Sequence, residues 1–345
     1  MDIMRQRRET RAQVWGPLCS LPCRYVKRAV IATSLVTLIF ATVGPRSDRW
    51  WRSQGNACVC LAVALTRRLR TLTNCFTASL AVADLLLGVL VLPFSAFVEL
   101  HSSWPLGPTF CNVYTSSDVM LCTASILHLL AIGVDRYCAV SSPFTYACRV
   151  TRGRVAASLA VIWLVSLAVS FPPLHLGWNT EDGTPQNRGP GDPADRCVFE
   201  LNRGYVLFDA TGTFYVPLAL LLFTYSRVFV VARAQARRIG AATVGRRRAP
   251  LTLAALREHK ATATLSAVMG AFVTCWFPYF TVFTFQGVTG ASVEANAFAV
   301  VLWLGYANSA LNPLIYATLN REFRAAFVKL LRCGRPGRAT PAPLP

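Results

Sequence analysis

Six long apolar stretches separated by short polar or basic links dominate the chain: about Thr73 to Val98, Phe110 to Ile132, Val155 to Leu176, Phe208 to Val231, Ala261 to Phe285 and Ala295 to Ala317. Each meets the length of about 20 predominantly apolar residues that a helix needs to cross a bilayer. A seventh stretch is broken. Ala29 to Val43 is apolar, Gly44 to Gln54 interrupts with Pro45, Arg46, Asp48, Arg49 and Arg52, and Gly55 to Leu65 is apolar again. About 16 residues precede the interruption and about 11 follow it, so neither half spans alone. Three arginines and an aspartate at mid-membrane would cost roughly 2.5 to 3.5 kcal/mol each on a lipid-facing helix. Joining Val43 to Gly55 restores one apolar helix of ordinary length. The pattern therefore predicts an all-α membrane protein. A seven-helix transmembrane bundle occupies 27–317, with an anomalous insertion at 44–54 in its first span. An N-terminal segment (1–26) precedes it, and a short amphipathic helix and tail (318–345) follow.

Composition supplies the orientation. The chain is 54% hydrophobic and 15% charged, yet its formal net charge is +19, so its few charges are mostly basic. They gather in alternate links: Arg67-Arg68-Leu69-Arg70, Arg149 to Arg154, and Arg233 to Lys260 with Arg246-Arg247-Arg248. Glu99 to Pro108 and Gln286 to Glu294 hold no Lys or Arg. Basic links belong in the cytosol, which places the C-terminus inside and the N-terminus outside. One signal runs the other way, since Arg5, Arg7, Arg8, Arg11, Arg24, Lys27 and Arg28 all precede the first apolar stretch. The basic runs read as solvated faces or contacts with membrane lipid, and no nucleic-acid-binding pattern accompanies them.

Of the twelve cysteines, Cys58, Cys60, Cys75, Cys122 and Cys275 fall inside apolar runs and read as inert packing residues. Cys111, at the outer mouth of the third span, and Cys197, in the loop before the fifth, share the oxidising side and are expected to form a disulfide. Cys333 follows the last span in a basic segment, where a palmitate thioester and a free thiol are both open. Inside the spans the acids are few: Asp84, Asp118 and Asp209, accompanied by the amides Asn56, Asn308 and Asn312. An ionisable group in hydrocarbon is costly and marks function by default. Carboxylates without a Lys or Arg at their depth would attract a small amine, a metal ion or a proton, or else serve helix packing. No repeated broken helices suggest a transporter and no polar stripe a channel. The four histidines lack metal-ligand spacing, and no phosphate loop or nucleophile elbow occurs, so no enzyme is expected.

The third span ends in Asp135-Arg136-Tyr137, the fourth holds Trp163 and the fifth Pro217 and Tyr225. The sixth carries Cys275-Trp276-Phe277-Pro278 and the seventh Asn312-Pro313-Leu314-Ile315-Tyr316. Together, in order and each at its depth, these motifs resemble the rhodopsin-like G-protein-coupled receptors over about Gly55 to Leu331. Runs such as Asp118-Val119-Met120-Leu121-Cys122-Thr123-Ala124-Ser125, His175-Leu176-Gly177-Trp178-Asn179 and Val301-Leu302-Trp303-Leu304-Gly305-Tyr306 are similar to the biogenic amine group, and within it to the histamine type-2 branch. An acid, Asp209, where other amine receptors carry serine, is the distinguishing mark of that branch.

That resemblance implies a ligand, histamine or a similar small amine. Histamine joins a primary ammonium by two carbons to an imidazole, so its pocket needs one negative charge and a second polar group. Asp118 suits the ammonium. Asp209 and Thr213, four residues apart on one helical face, suit the ring nitrogens. Tyr279, Phe280, Phe283, Trp303 and Tyr306 would form aromatic walls worth roughly 0.5 to 2 kcal/mol each to a cation, and Tyr306 is placed to hydrogen-bond Asp118. Another biogenic amine, or a nonfunctional relative with a disrupted first helix, stays open beside this reading.

The resemblance also assigns signalling roles. Trp276 lies under the pocket, Pro278 kinks the sixth helix, and Arg136 pairs with Asp135 and with Glu258 to hold the cytosolic ends together. Asp84, Ser125, Ser309 and Asn312 resemble the family's sodium site. The segment from Asn320 to Leu331, with Phe323, Phe327, Leu330 and Leu331 beside Arg321, Arg324 and Lys329, reads as an amphipathic helix on the inner membrane surface. Arg136, Tyr225 and the basic third cytosolic loop would meet the stimulatory G protein to raise cyclic AMP, and Tyr137, Asn312, Pro313 and Tyr316 belong with them to the activation and coupling set. Arrestin and receptor kinases are the other partners implied. The expected location is the plasma membrane. For the chain as written, the insertion at 44–54 predicts retention in the endoplasmic reticulum or a displaced first helix that keeps Asn56 from Asp84. No Asn-x-Ser/Thr sequon occurs anywhere in the chain, so the N-terminal glycan usual in the family has no acceptor.

Overall fold

The computed structural model describes residues 48–101, 104–142, 144–187, 197–242 and 251–332. Side chains at 48–54, 100–101, 147, 232, 235–242, 251–265 and 331–332 lie outside the description. The helices are α1 (Asp48–Leu65), α2 (Leu72–Leu90), α3 (Leu92–His101), α4 (Gly107–Ser141), α5 (Tyr146–Arg149), α6 (Arg152–Leu176), α7 (Arg203–Asp209), α8 (Val216–Ala242), α9 (Leu251–Thr289), α10 (Ala295–Leu319) and α11 (Arg321–Arg332). A π-helical turn, Ala210–Tyr215, joins α7 to α8. Six segments are long and apolar enough to cross a membrane: Leu72–Glu99, Gly107–Ser141, Arg152–Leu176, Arg203–Val231, Ser266–Thr289 and Ala295–Leu319. They are the second to seventh spans of the sequence reading; most bounds fall within about five residues of those expected, and the third span runs nine residues farther, to Ser141.

Local sequence explains the ends and breaks. Thr71, Thr151 and Asn202 cap their helices by accepting from the backbone amides of Asn74, Arg154 and Tyr205. Gly177 ends α6 at φ 73°, and a Cβ there would lie 2.4 Å from the Gly183 carbonyl oxygen, so only glycine fits. Each proline removes a backbone donor and crowds the carbonyl one turn before it. Pro93 accompanies the break at Val91 between α2 and α3. Pro217 follows the π turn, whose extra residue per turn relieves that crowding. Pro313 leaves the Ser309 carbonyl without its helical partner, and the Asn56 side-chain amide donates to it at 2.9 Å.

That last bond sets the register of the first span. Gly55 packs so closely on the Pro313 ring that a Cβ would come within 2.8 Å of it. Two expectations are thereby corrected. Asn56 is not displaced from the bundle, because α1 docks on the seventh span through Gly55 and Asn56. Nor do the residues before Gly55 all interrupt the helix: Asp48 to Gln54 are helical and continuous with Gly55. Gly44 to Ser47, the N-terminal segment and Cys333 lie outside the described residues. The apolar part of α1 remains short, Gly55–Leu65.

The third span is the centre of the bundle, packing against the second, fourth and fifth, while the seventh packs against the sixth and first. His128 shows how the centre accommodates polar groups. It is fully buried, with Nδ1 2.6 Å from the Ala124 carbonyl and Nε2 2.7 Å from the Ser79 hydroxyl, which also accepts from Trp163. Both ring nitrogens are therefore engaged. At the cytosolic end α11 turns away and docks by Phe323, stacked on Tyr316 at 5.3 Å.

Candidate functional site

A cavity of about 290 Å³ opens among the third, fifth, sixth and seventh spans. Its charged lining is Asp118 and Asp209, and no Lys, Arg or His lines it. Asp118 accepts from the Tyr306 hydroxyl at 2.6 Å and from the Cys122 thiol at 3.5 Å. Asp209 is buried, and its Oδ1 has no hydrogen-bond partner. The Thr213 hydroxyl donates to the Asp209 backbone carbonyl at 2.7 Å. Asp209 ends α7 and Thr213 lies in the π turn, so the widened turn brings both to the cavity wall.

Aromatic rings close the base and far side. Trp276 lies against Gly305, where a Cβ would come within 2.8 Å of the indole. It meets Tyr306 edge-on at 6.3 Å and Tyr279 edge-on at 5.7 Å. Tyr279 stacks on Phe283 at 5.7 Å, and Phe280 stacks on Phe214 at 4.1 Å between the fifth and sixth spans. Of the expected wall residues, Tyr279, Phe280, Phe283 and Tyr306 line the cavity. Trp303 does not, and instead meets Tyr306 edge-on at 5.7 Å.

The roof comes from the loop before the fifth span. Cys111 and Cys197 form the expected disulfide, with Cα atoms 5.6 Å apart. Asn187, at φ 58°, exchanges hydrogen bonds with Val198 at 3.0 Å and reaches Asn112 at 3.0 Å. Asn179 holds Gln186 at 2.7 Å and the Glu200 carbonyl at 2.9 Å. These amides satisfy loop backbone that no sheet or helix would otherwise serve, and they set Cys197 and Phe199 over the cavity. Farther out, the Thr184 backbone amide donates to Asp182 and holds its carboxyl below the usual range.

Several lining residues escaped the sequence reading. Tyr114 and Cys122 flank Asp118 at a spacing of four residues, a signal that was available. Cys122 is thus no inert packing residue, because its thiol faces Asp118 in the cavity. Phe298, 5.6 Å from Tyr279, gave no such signal.

Deeper in the bundle, Asn312 donates to Asp84 at 3.0 Å, while Asp84 Oδ1, Asn308 Oδ1 and Asn312 Oδ1 are buried without a partner. Ser125 and Ser309 are buried at this level, and Ser125 donates to the Leu121 carbonyl. At the cytosolic end Arg136 pairs with Asp135 at 2.6 Å. Thr73 donates to Asp135 Oδ2 at 2.8 Å and takes a bond from Arg136, and Tyr146 of α5 donates to Asp135 Oδ1 at 2.8 Å. Burial, foremost, raises the Tyr146 hydroxyl above its ordinary range, so it stays a donor at neutral pH. Tyr225 packs its ring on Gly133. Glu258 lies on α9, but its side chain is outside the described residues, as is any pairing with Arg136.

A model of the seven-transmembrane receptors of the rhodopsin family matches residues 55–316, beginning at Gly55. The histamine H2 receptor of Canis lupus familiaris is 52% identical, over 92% of this chain and 82% of its own length. The Homo sapiens histamine H2 receptor is 50% identical, over 89% of this chain and 80% of its own. The alpha-1D adrenergic receptor of Mus musculus is 41% identical, over 81% of this chain and 55% of its own. An intramembrane carboxylate cavity under a disulfide-anchored loop, proline-broken spans and a match of this extent lead to one assignment: the chain is a multi-pass membrane receptor, not an enzyme, and belongs to the rhodopsin family of seven-transmembrane receptors.

Proposed function

We propose that this receptor binds histamine, in the manner of the type-2 receptors it is similar to, and raises cyclic AMP through the stimulatory G protein. The carrying observation is that one cavity holds Asp118 and, on another span, Asp209 with Thr213. The ammonium binds Asp118, whose oxygens already accept from Tyr306 and Cys122 and are aimed by them. The imidazole N–H donates to the Asp209 carboxylate, beside Thr213 on the same cavity wall. Tyr279, Phe280, Phe283 and Tyr306 exclude water and strengthen both contacts. Trp276, below the cavity and against Gly305, passes the change to the sixth span at Pro278.

At the cytosolic end, opening separates the Asp135, Arg136, Thr73 and Tyr146 cluster and frees Arg136, with Tyr137, Tyr225, Asn312, Pro313 and Tyr316 near the coupling surface. Glu258 would add a second acid to that lock. Asp84, Ser125, Ser309 and Asn312 would hold a sodium ion, and the buried unpartnered oxygens of Asp84 and Asn312 suit a small hard cation. A palmitate on Cys333, and arrestin and receptor kinases as later partners, complete the reading.

The test is histamine-evoked cyclic AMP in cells expressing the full chain, with surface labelling. A histamine-evoked calcium signal without cyclic AMP would overturn the coupling. The charged insertion predicts retention in the endoplasmic reticulum, so deletion of Gly44 to Gln54 should raise surface labelling and cyclic AMP together. Equal labelling of the two chains would show that the insertion is tolerated.

A further inference from the structure

Beyond histamine, and resting on the reading of this cavity as the amine site, we propose that the cavity accepts dications: unbranched aliphatic diamines with one ammonium held by Asp118 and the other by Asp209. Two carboxylates line a single cavity of about 290 Å³, and none of its lining residues is basic. A monocation compensates only one of them. Asp118 has neutral donors in Tyr306 and Cys122. Asp209 lines the cavity with no cationic neighbour, and its Oδ1 is buried without a partner. A buried carboxylate without a countercharge is costly, and an ammonium is the donor that offsets its charge.

The walls agree with this chemistry. Tyr279, Phe280 and Phe283 line the same cavity and suit a methylene chain and the flank of an ammonium. The cavity thus offers two carboxylates together with apolar aromatic surface, which suits a diamine. An imidazole needs only a hydrogen bond from Asp209, whereas a second ammonium needs its charge. Substitution can separate these demands.

The experiment uses the purified full chain in lipid-containing micelles, with direct binding measured for diamines of two to six methylenes, for the monoamine of each length, and for histamine. One diamine length is expected to bind about thirtyfold more tightly than its monoamine. Asp209→Asn, which keeps a hydrogen-bonding amide but removes the charge, should abolish that margin and reduce histamine binding less. Asp209→Glu should preserve the margin and move it to a shorter diamine, which guards against a variant that merely misfolds. If no diamine exceeds its monoamine, or if the margin survives Asp209→Asn, the proposal is overturned, whatever histamine does. A diamine margin in a chain that does not bind histamine would support the dication site and sink the histamine reading instead.

Discussion

Asp118 and Asp135 stand near opposite ends of the same helix, α4, and their surroundings could hardly differ more. Asp135 is saturated from within: Arg136 supplies a cation at 2.6 Å, and Thr73 and Tyr146 each donate at 2.8 Å. Asp118 receives one hydroxyl and one thiol and no cation, and Asp209 in the same cavity keeps one oxygen without a partner. One end of the span is an internal lock whose charge is already paired. The other is a charge deficit that a cation from outside must fill. A receptor needs this asymmetry, because a ligand shifts a two-state equilibrium only by interactions that differ between the states.

The outer half of this contrast breaks most severely at Asp118. Asp118→Asn should weaken agonist binding by about 2 to 5 kcal/mol, the usual cost of removing one partner from a desolvated charge pair. Radioligand binding with verified surface expression checks it, and unchanged affinity would remove Asp118 from the site. Asp209→Ala comes next. It should cost histamine about 1 to 3 kcal/mol, because a polar ring atom loses its buried partner. A monoamine without a ring hydrogen-bonding group should be nearly unaffected, and equal losses for histamine and that monoamine would make Asp209 structural.

The smallest expected effect lies at the inner end. Tyr146→Phe keeps the ring and deletes one donor to Asp135, worth about 1 kcal/mol. Basal cyclic AMP at matched surface expression should rise by about fivefold if the cluster stabilises the closed state. A basal level equal to that of the parent chain would show that Arg136 and Thr73 suffice to hold Asp135.

Periodicity and composition made the membrane class, six spans and the intramembrane acids readable, because twenty-residue apolar runs and buried charges have few structural alternatives. The disulfide was readable too, since Cys111 and Cys197 both flank spans on the expected oxidising side. Trp303 and Cys122 were misplaced for a common reason: a residue type says what a side chain can do, but its rotation about a packed helix decides whether it meets the cavity. Trp303 turned to the flank of Tyr306, and Cys122 turned to Asp118.

The linear chain by itself determined what had to be buried and what was too costly to leave in lipid. Apolar length set the spans, basic links gave the expected orientation, and the broken first stretch stood out by its charge. Tertiary structure alone decided which partners those groups would find. The Ser309 carbonyl, released by Pro313, is met by Asn56 from a helix more than two hundred and fifty residues away in sequence. The π turn before Pro217 carries Thr213 to the cavity wall beside Asp209. Both outcomes depend on a backbone group freed in one helix and on the geometry of its neighbours, and hydrogen-bond satisfaction across helices is a property of the packed bundle that no single segment contains.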